Sequence, residues 1–103
     1  MSLQVHRVRG QSMSPYYNNN DYVVSFRWRG MHFCVGDVVV LNHPRFLTII
    51  KRIDAINDSG ELRLRGDNPA STGSDQIGWQ PQHRVLGKVI WHIAPNQPAK
   101  QAT

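Results

Sequence analysis

Apolar and polar residues alternate with a period of two over much of this chain, which is the pattern of half-buried β-strands. The clearest stretches are residues 47–56 and 61–65, while residues 38–41 form a continuous run of Val and Leu typical of a strand buried on both faces. Weaker alternation predicts strands at residues 3–9, 22–26 and 85–93. No stretch shows a convincing helical period, so the sequence predicts a mostly β fold.

Turn-forming residues separate these predicted strands. Gly10 ends the first strand, Asn18-Asn19-Asn20-Asp21 precedes the second, and Asn57-Asp58-Ser59-Gly60 connects the two clearest strands as a hairpin. Residues 27–34 mix aromatic and cationic side chains without a period, and a polar stretch follows from residue 66 to residue 78. Both are predicted to be loops.

The length allows one small domain. A chain of 103 residues buries a modest core and is too short for two. We expect the domain to occupy residues 1–94, and residues 95–103, which carry no apolar pattern, to be a disordered tail. The oligomeric state cannot be derived from these patterns.

Cysteine content and hydropathy bear on the compartment. Cys34 is the sole cysteine, so an internal disulfide is excluded. No apolar run approaches the roughly 18 to 20 residues that span a bilayer. We therefore expect a cytoplasmic protein, or a membrane-associated one if an N-terminal anchor precedes the sequence given.

The predicted strand at residues 47–56 places one charged side chain on an apolar face. Lys51 shares its face with Ile49 and Ile53. One interpretation is a lysine whose stem packs on apolar surface while its amine reaches water. The other is a lysine buried enough to lose its proton near neutral pH, since burial disfavours the charged form.

Ser12, directly after the Gly10 turn, is the candidate nucleophile. A serine hydroxyl is a weak nucleophile and needs a base beside it. Lys51, 39 positions later, is one candidate base. Histidine is the usual alternative, and no spacing singles out one of the five: His6, His32, His43, His83 and His92.

Charge and aromatic content leave a rival class of function open. Twelve Lys and Arg against seven Asp and Glu give a net charge of +5, which favours acidic partners, nucleic acid or anionic lipid, or simply keeps the protein in solution. Exposed aromatics such as Trp28 and Trp79 could stack on bases, but they are dispersed among loops and we expect no nucleic-acid binding. His32 and Cys34 lack a second ligand pair, so we expect no metal and no cofactor.

Five short motifs occur in an order that resembles one group of enzymes, the signal-peptidase and SOS-repressor clan of Ser/Lys peptidases. They are Gly10-Gln11-Ser12-Met13-Ser14-Pro15, Asn20-Asp21-Tyr22-Val23-Val24, Gly36-Asp37-Val38-Val39-Val40, Ile50-Lys51-Arg52-Ile53 and Gly66-Asp67-Asn68-Pro69. The resemblance covers nearly the whole chain, from about residue 8 to about residue 90. It implies a folded sheet or partly open barrel.

The resemblance also implies roles for single residues. Ser12 would attack the scissile carbonyl, and neutral Lys51 would take its proton as general base. The main-chain amide of Ser12 would hold the oxyanion, because Gly10 supplies no side-chain donor where many signal peptidases have a hydroxyl. Met13 would pack beside the nucleophile, and Asp67 and Asn68 would organise the active-site loop. The serine that orients the lysine would be Ser71 or Ser74, in a run shorter than the family's.

The substrate implied is a protein or peptide bound in extended form, with small residues before the scissile bond. The Gly-Asp-Asn-Pro box resembles the small enzymes known as nickel superoxide dismutase maturation proteases. Neither Ala-Gly nor Cys-Gly occurs, so self-cleavage of the SOS-repressor type is not expected. The function predicted is therefore a serine endopeptidase that removes a leader from another protein. The alternative is a non-catalytic basic β domain that binds nucleic acid or a protein partner. The composition of residues 27–34 also permits membrane contact.

Overall fold

The computed structural model describes residues 1–68 and 77–94, and these form one antiparallel sheet. The strands of the described residues are β1 (Ser2–Arg7), β2 (Tyr22–Arg27), β3 (Val38–His43), β4 (Leu47–Ile56), β5 (Leu62–Arg65), β6 (Trp79–Gln80) and β7 (Val85–Ile93), with a 3-10 helix at Gln82–Arg84. Their order across the sheet is β1-β2-β7-β3-β4-β5-β6. The prediction of a mostly β, single-domain fold is confirmed.

The strands form where the alternation predicts them. In β3 the residues Val38, Val39, Val40 and Leu41 are all buried, as predicted for a strand covered on both faces. The β4–β5 hairpin closes through Asn57, whose carbonyl accepts from Gly60 N at 2.9 Å. Strand β6 was not predicted, because two residues cannot display a period. The predicted tail, 95–103, lies outside the described residues.

Two buried clusters hold the sheet together. The larger one packs residues of β3, β4, β5 and β7 with Ile77, which lies just before β6. Its members are Val39, Leu41, Ile53, Leu62, Leu64, Ile77 and Val85. The smaller one joins Val8, after β1, to Val23 and Val40. Burial of such side chains stabilises a fold by about 1.5–3 kcal/mol each.

The sheet is strongly curved. In a flat sheet β1 and β4 would lie four strand spacings apart, about 19 Å, yet both strands line the same cavity. Irregular pairing accompanies the curvature, with register shifts between β2 and β7, β3 and β7, and β4 and β5. Such bulges bend strands and increase their twist. The curvature brings the residues that follow β1 towards β4.

Candidate active site

The turn that carries Ser12 is anchored at both ends. Val8 N donates to Asp21 O at 2.7 Å, and Asn20 N donates to Val8 O at 2.9 Å, so the chain leaves β1 paired with the start of β2. Gly10 has φ +80°, a conformation that residues with a side chain rarely adopt, and its N–H donates to Asn19 Oδ1 at 2.9 Å. The glycine thus allows the reversal that presents Ser12.

Main-chain contacts of Ser12 hold this turn from the other side. Asn68 N donates to Ser12 O at 2.8 Å, and Asn68 Nδ2 donates to Gln11 O at 2.9 Å. The N–H of Ser12 has no acceptor among residues 1–68 and 77–94. A free amide beside the hydroxyl is the donor that an oxyanion requires where Gly10 has no side chain.

Lys51 lies in the middle of β4, opposite Val39 of β3. It is 5% exposed, as buried as the residues of the core, and Ile53 on the same face is 1% exposed. Desolvation by this burial lowers the pKa of the Lys51 amine. The placement expected from the alternation is confirmed, and the burial is deeper than that of a lysine whose amine extends freely into water.

Ser12 and Lys51 line one cavity of about 520 Å³. Residues 5–9, Met13 and residues 48–51 of β4 form the rest of its described walls. No hydrogen bond joins Ser12 Oγ to Lys51 Nζ within the described part of the chain. Catalytic hydrogen bonds are often longer in a free enzyme than in its substrate complex.

Two strand edges face this cavity. β1 is the end strand of the sheet and pairs only with β2 among the described strands. β5 pairs with β4 only from Arg52 onward, so residues 47–51 have no described partner on that side. Unpaired strand edges bind extended peptides by main-chain hydrogen bonds, and small pockets then select side chains.

A model of the Peptidase S24-like family matches residues 2–90, which is most of the chain. The chain belongs to the Peptidase S24-like family. The match includes all five motifs and every strand up to most of β7. A search of curated proteins found no match. Membership places the protein among peptidases, whose substrates are proteins or peptides, and it supports the relationship to the signal-peptidase and SOS-repressor clan.

Sequence reasoning missed one residue of this candidate site. Arg52, next to Lys51 but on the opposite face of β4, donates to both oxygens of Asp67 at 2.9 and 2.8 Å and to Gly36 O at 2.8 Å. The hydrogen bonds from Arg52 are the main cause of the lowered pKa of Asp67. Asp67 precedes Asn68, so this ion pair positions the residue that holds the Ser12 turn. The signal in the sequence that could have pointed to Arg52 is its position next to Lys51 in β4.

The structure places most of the other predicted residues near this turn. Met13 is 1% exposed and packs under the turn. Asp67 and Asn68 contact Arg52 and the Ser12 turn as described. Ser71 and Ser74 lie outside the described residues, and the residue that orients Lys51 stays a prediction.

Three of the five histidines, His6, His43 and His92, are held in other contacts. His43 Nδ1 accepts from Arg45 N and Phe46 N, so its Nε2 carries the proton and bonds to Ile77 O at 3.0 Å. His92 Nε2 contacts Asp21 Oδ2 at 2.7 Å, away from the cavity walls. His6 lines the cavity, but its Nε2 bonds to Ser25 Oγ at 3.1 Å. Burial lowers the pKa of His6.

The loop at residues 27–34 lies apart from the cavity and is tied to β7. Lys88 Nζ donates to His32 O at 3.0 Å and pairs with Asp37 at 3.1 Å. Trp28 and Arg29 are exposed, and contact of this loop with lipid stays a prediction. No helix of the described residues is long and apolar enough to cross a bilayer. Nor do His, Cys, Asp and Glu side chains of that part of the chain cluster as metal ligands.

Proposed function

We propose that this protein is a serine endopeptidase in which Ser12 is the nucleophile and Lys51 the general base. The observation that carries the proposal is that a serine on a glycine turn and a desolvated lysine line one cavity. A lysine acts as a base only when neutral, and burial favours the neutral form of Lys51 by lowering its pKa. Among the described residues of this cavity, His6 is the other candidate base, and its ring is bonded to Ser25.

The chemistry follows from these groups. Lys51 Nζ takes the Ser12 hydroxyl proton as Oγ attacks the scissile carbonyl, and the oxyanion accepts a hydrogen bond from Ser12 N–H. The C–N bond breaks as Lys51 returns the proton to the leaving amine, which leaves an ester on Ser12. Water then attacks this ester, with Lys51 as base, and the product acid leaves as Ser12 regains its proton. One oxyanion donor typically contributes about 2.7–4 kcal/mol to the reaction.

The substrate in this proposal lies extended between the open edges of β1 and β4. Apolar lining residues, among them Val5, Met13 and Ile49, suit the small side chains that related enzymes accept before the scissile bond. We further propose that the substrate is the leader of another protein. The Gly66-Asp67-Asn68-Pro69 box supports a place beside the nickel superoxide dismutase maturation proteases, where the nickel protein is the substrate.

The test compares wild type, Ser12→Ala and Lys51→Ala on a peptide library derived from a digested bacterial proteome. Mass spectrometry identifies the new N-termini that wild type generates. We expect a loss of at least a thousandfold in rate for both variants, as is typical when a member of a catalytic unit is removed. Undiminished cleavage by either variant would contradict the dyad.

Matched controls separate chemistry from folding. Ser59→Ala removes a hydroxyl from the exposed turn before β5, and Lys88→Ala removes an amine that lines neither wall of the cavity. Both controls should cleave at close to the wild-type rate. Salt-sensitive binding of an oligonucleotide by a protein with no Ser12-dependent cleavage would favour the non-catalytic alternative.

A further inference from the structure

The cavity lined by Ser12 and Lys51, called the cleft from here on, carries charge of one sign. The ionisable residues among its described lining are His6, Arg7, Arg9 and Lys51, and no described lining residue is Asp or Glu. A second cavity, of about 260 Å³, adjoins the first through Arg9, Thr48, Ile49 and Lys51, and its described lining is also free of acidic residues. With Lys51 and His6 neutral, Arg7 and Arg9 supply this charge, so a polypeptide in the cleft meets a positive potential that disfavours its cationic side chains.

Arg9 differs from its neighbour Arg7 in having a free head group. Arg7 donates from Nε and Nη2 to Asn20 Oδ1 at 3.1 and 2.6 Å, which fixes it to the turn before β2. The guanidinium of Arg9 is exposed and has neither a hydrogen bond nor an ion pair with any residue in 1–68 or 77–94. Arg9 is therefore the cation of the cleft that is available to a ligand.

The position of Arg9 sets which part of a substrate it meets. It precedes Ser12 by three residues, so their Cα atoms are at most about 10 Å apart. An extended substrate advances about 3.3 Å per residue, so Arg9 reaches side chains within about three residues of the bond that Ser12 attacks. The guanidinium matches a carboxylate, which accepts two parallel hydrogen bonds from it.

We propose that Arg9 is a specificity-determining residue that binds a substrate carboxylate, so that the cleft selects polypeptides with Asp or Glu within about three residues of the scissile bond. The inference rests on the proposed peptidase function and names its substrate class. A polypeptide fits better than a phosphate backbone, because the wall around Arg9 includes the aliphatic side chains of Val8, Ile49 and Ile50. An adjacent free cation and aliphatic wall suit a peptide that alternates acidic and apolar residues.

The kinetic test starts from one peptide that wild type cleaves. Asp, Asn and Lys are placed in turn at each of the three positions on either side of the cleaved bond. At one position we expect kcat/KM for Asp to exceed that for Asn by about three- to tenfold, mostly through KM, because the contact is made before and during the reaction. Arg9→Gln should remove this preference, and Arg9→Glu should reverse it in favour of Lys.

The control for net charge is Arg29→Glu. It changes the charge of the protein as much as Arg9→Glu does, but Arg29 lies against a different cavity, beside Met1 and Ser2. We expect Arg29→Glu to keep the preference for Asp. The proposal would be overturned if Arg9→Gln kept the wild-type preference for Asp over Asn. It would also be overturned if Arg29→Glu lost that preference as fully as the Arg9 variants do.

A binding measurement keeps this test independent of cleavage. In the Ser12→Ala background the same peptides stay intact, and fluorescence anisotropy should show the Asp peptide binding about three- to tenfold more tightly than the Asn peptide. Adding Arg9→Gln should equalise them, and failure to do so contradicts the role of Arg9. Cleavage that depends on Ser12 but ignores Arg9 would refute this inference alone, whereas cleavage that persists in Ser12→Ala would refute the proposed function.

Discussion

Arg52 and Asp67 form a bidentate ion pair, with Nε to Oδ1 at 2.9 Å and Nη2 to Oδ2 at 2.8 Å, on the face of β4 opposite Lys51. Asp67 precedes Asn68, whose main-chain and side-chain N–H groups bond to the carbonyls of Ser12 and Gln11. One strand thus carries the proposed base and, through the Arg52–Asp67 ion pair and the two hydrogen bonds of Asn68, holds the turn of the proposed nucleophile. We expect this connection to set the distance between the proposed nucleophile and the proposed base.

Asp67→Asn should lower kcat by about ten- to a hundredfold, because a displacement of about 1 Å at a catalytic group costs this much. It should also destabilise the protein by about 1–3 kcal/mol, because a side chain only 4% exposed loses charge-assisted hydrogen bonds. The checks are kcat on a cleaved peptide and urea unfolding. Asp58→Asn, on the exposed hairpin turn, is the matched control and should change neither.

The same ion pair predicts how acid affects stability. Because Arg52 lowers the pKa of Asp67 below its ordinary value of about 3.9, the unfolded chain takes up this proton first. The stabilising contribution of Asp67 is therefore complete above about pH 4 to 5 and disappears as pH falls through the lowered pKa. The stability gap between wild type and Asp67→Asn should narrow below pH 4. A gap that stays constant down to pH 2 would contradict the prediction.

Lys51→Met should abolish cleavage and raise the thermal midpoint at pH 7. Methionine fills a similar volume without a charge to desolvate, and Lys51 is 5% exposed. A domain of this size gains about 4–8 °C for each 1 kcal/mol. The gain should shrink as pH rises between the lowered pKa and the ordinary value of about 10.4, because the folded amine is then neutral. Calorimetry of both proteins at pH 7 and pH 10 measures this. An unchanged or lowered midpoint for Lys51→Met at pH 7 would contradict the idea that desolvation of Lys51 destabilises the fold.

Asn68→Ala should reduce kcat more than it reduces stability. The variant loses the bond from Nδ2 to Gln11 O, worth about 0.5–1.5 kcal/mol, but keeps the bond from its main-chain N to Ser12 O. The turn would then hold Ser12 less firmly while the sheet remains intact. The checks are kcat on a cleaved peptide and the free energy of unfolding in urea, both measured on the same sample. A proportional loss of both would indicate that Asn68 serves the fold alone.

Alternation along the chain predicted five strands, most clearly β4 and β5, and the continuous apolar run at residues 38–41 predicted a sixth. It also singled out Lys51, because a charged residue is unexpected between Ile49 and Ile53 on an otherwise apolar face. The Arg52 contact was not predictable in this way. Its partner lies 15 residues away in a loop, and a period describes which face a side chain occupies but not what it meets there.

The closeness of Ser12 and Lys51 required more than the pattern. Local turn chemistry accounts for the reversal at Gly10, but the cavity exists because the sheet curves until β1 approaches β4. Register shifts such as the one between Ile53 and Ala55 accompany that curvature, and nothing in the alternation of β4 marks them. The five motifs, through their order along the chain, indicated the curvature indirectly, because they resemble motifs of the peptidase clan for which a folded sheet or partly open barrel was expected.

Gly10→Ala should lower both stability and activity, whereas Gly30→Ala should lower stability alone. The two glycines have nearly the same φ, +80° and +78°, and no atom lies within 4 Å of the position of an added Cβ in either case. Each substitution therefore costs about 1–2 kcal/mol of backbone strain without a clash. Only Gly10 belongs to the turn that presents Ser12, so kcat should fall in Gly10→Ala and stay near wild type in Gly30→Ala. Equal kcat in both variants would show that the turn tolerates the strain.

His6→Gln tests whether the histidine in the cleft could be the base instead. Gln keeps a polar group that can bond to Ser25 Oγ, so we expect a folded protein with kcat within about threefold of wild type. Because burial lowers the pKa of His6, catalysis by His6 would reach its maximum at or below neutral pH. With Lys51 as base, kcat/KM should keep rising above neutral pH until the amine is deprotonated, at a pH below its ordinary pKa of about 10.4. The pH profiles of wild type and His6→Gln should therefore coincide. A wild-type profile that is flat above neutral pH, together with a large loss of kcat in His6→Gln, would assign the base to His6.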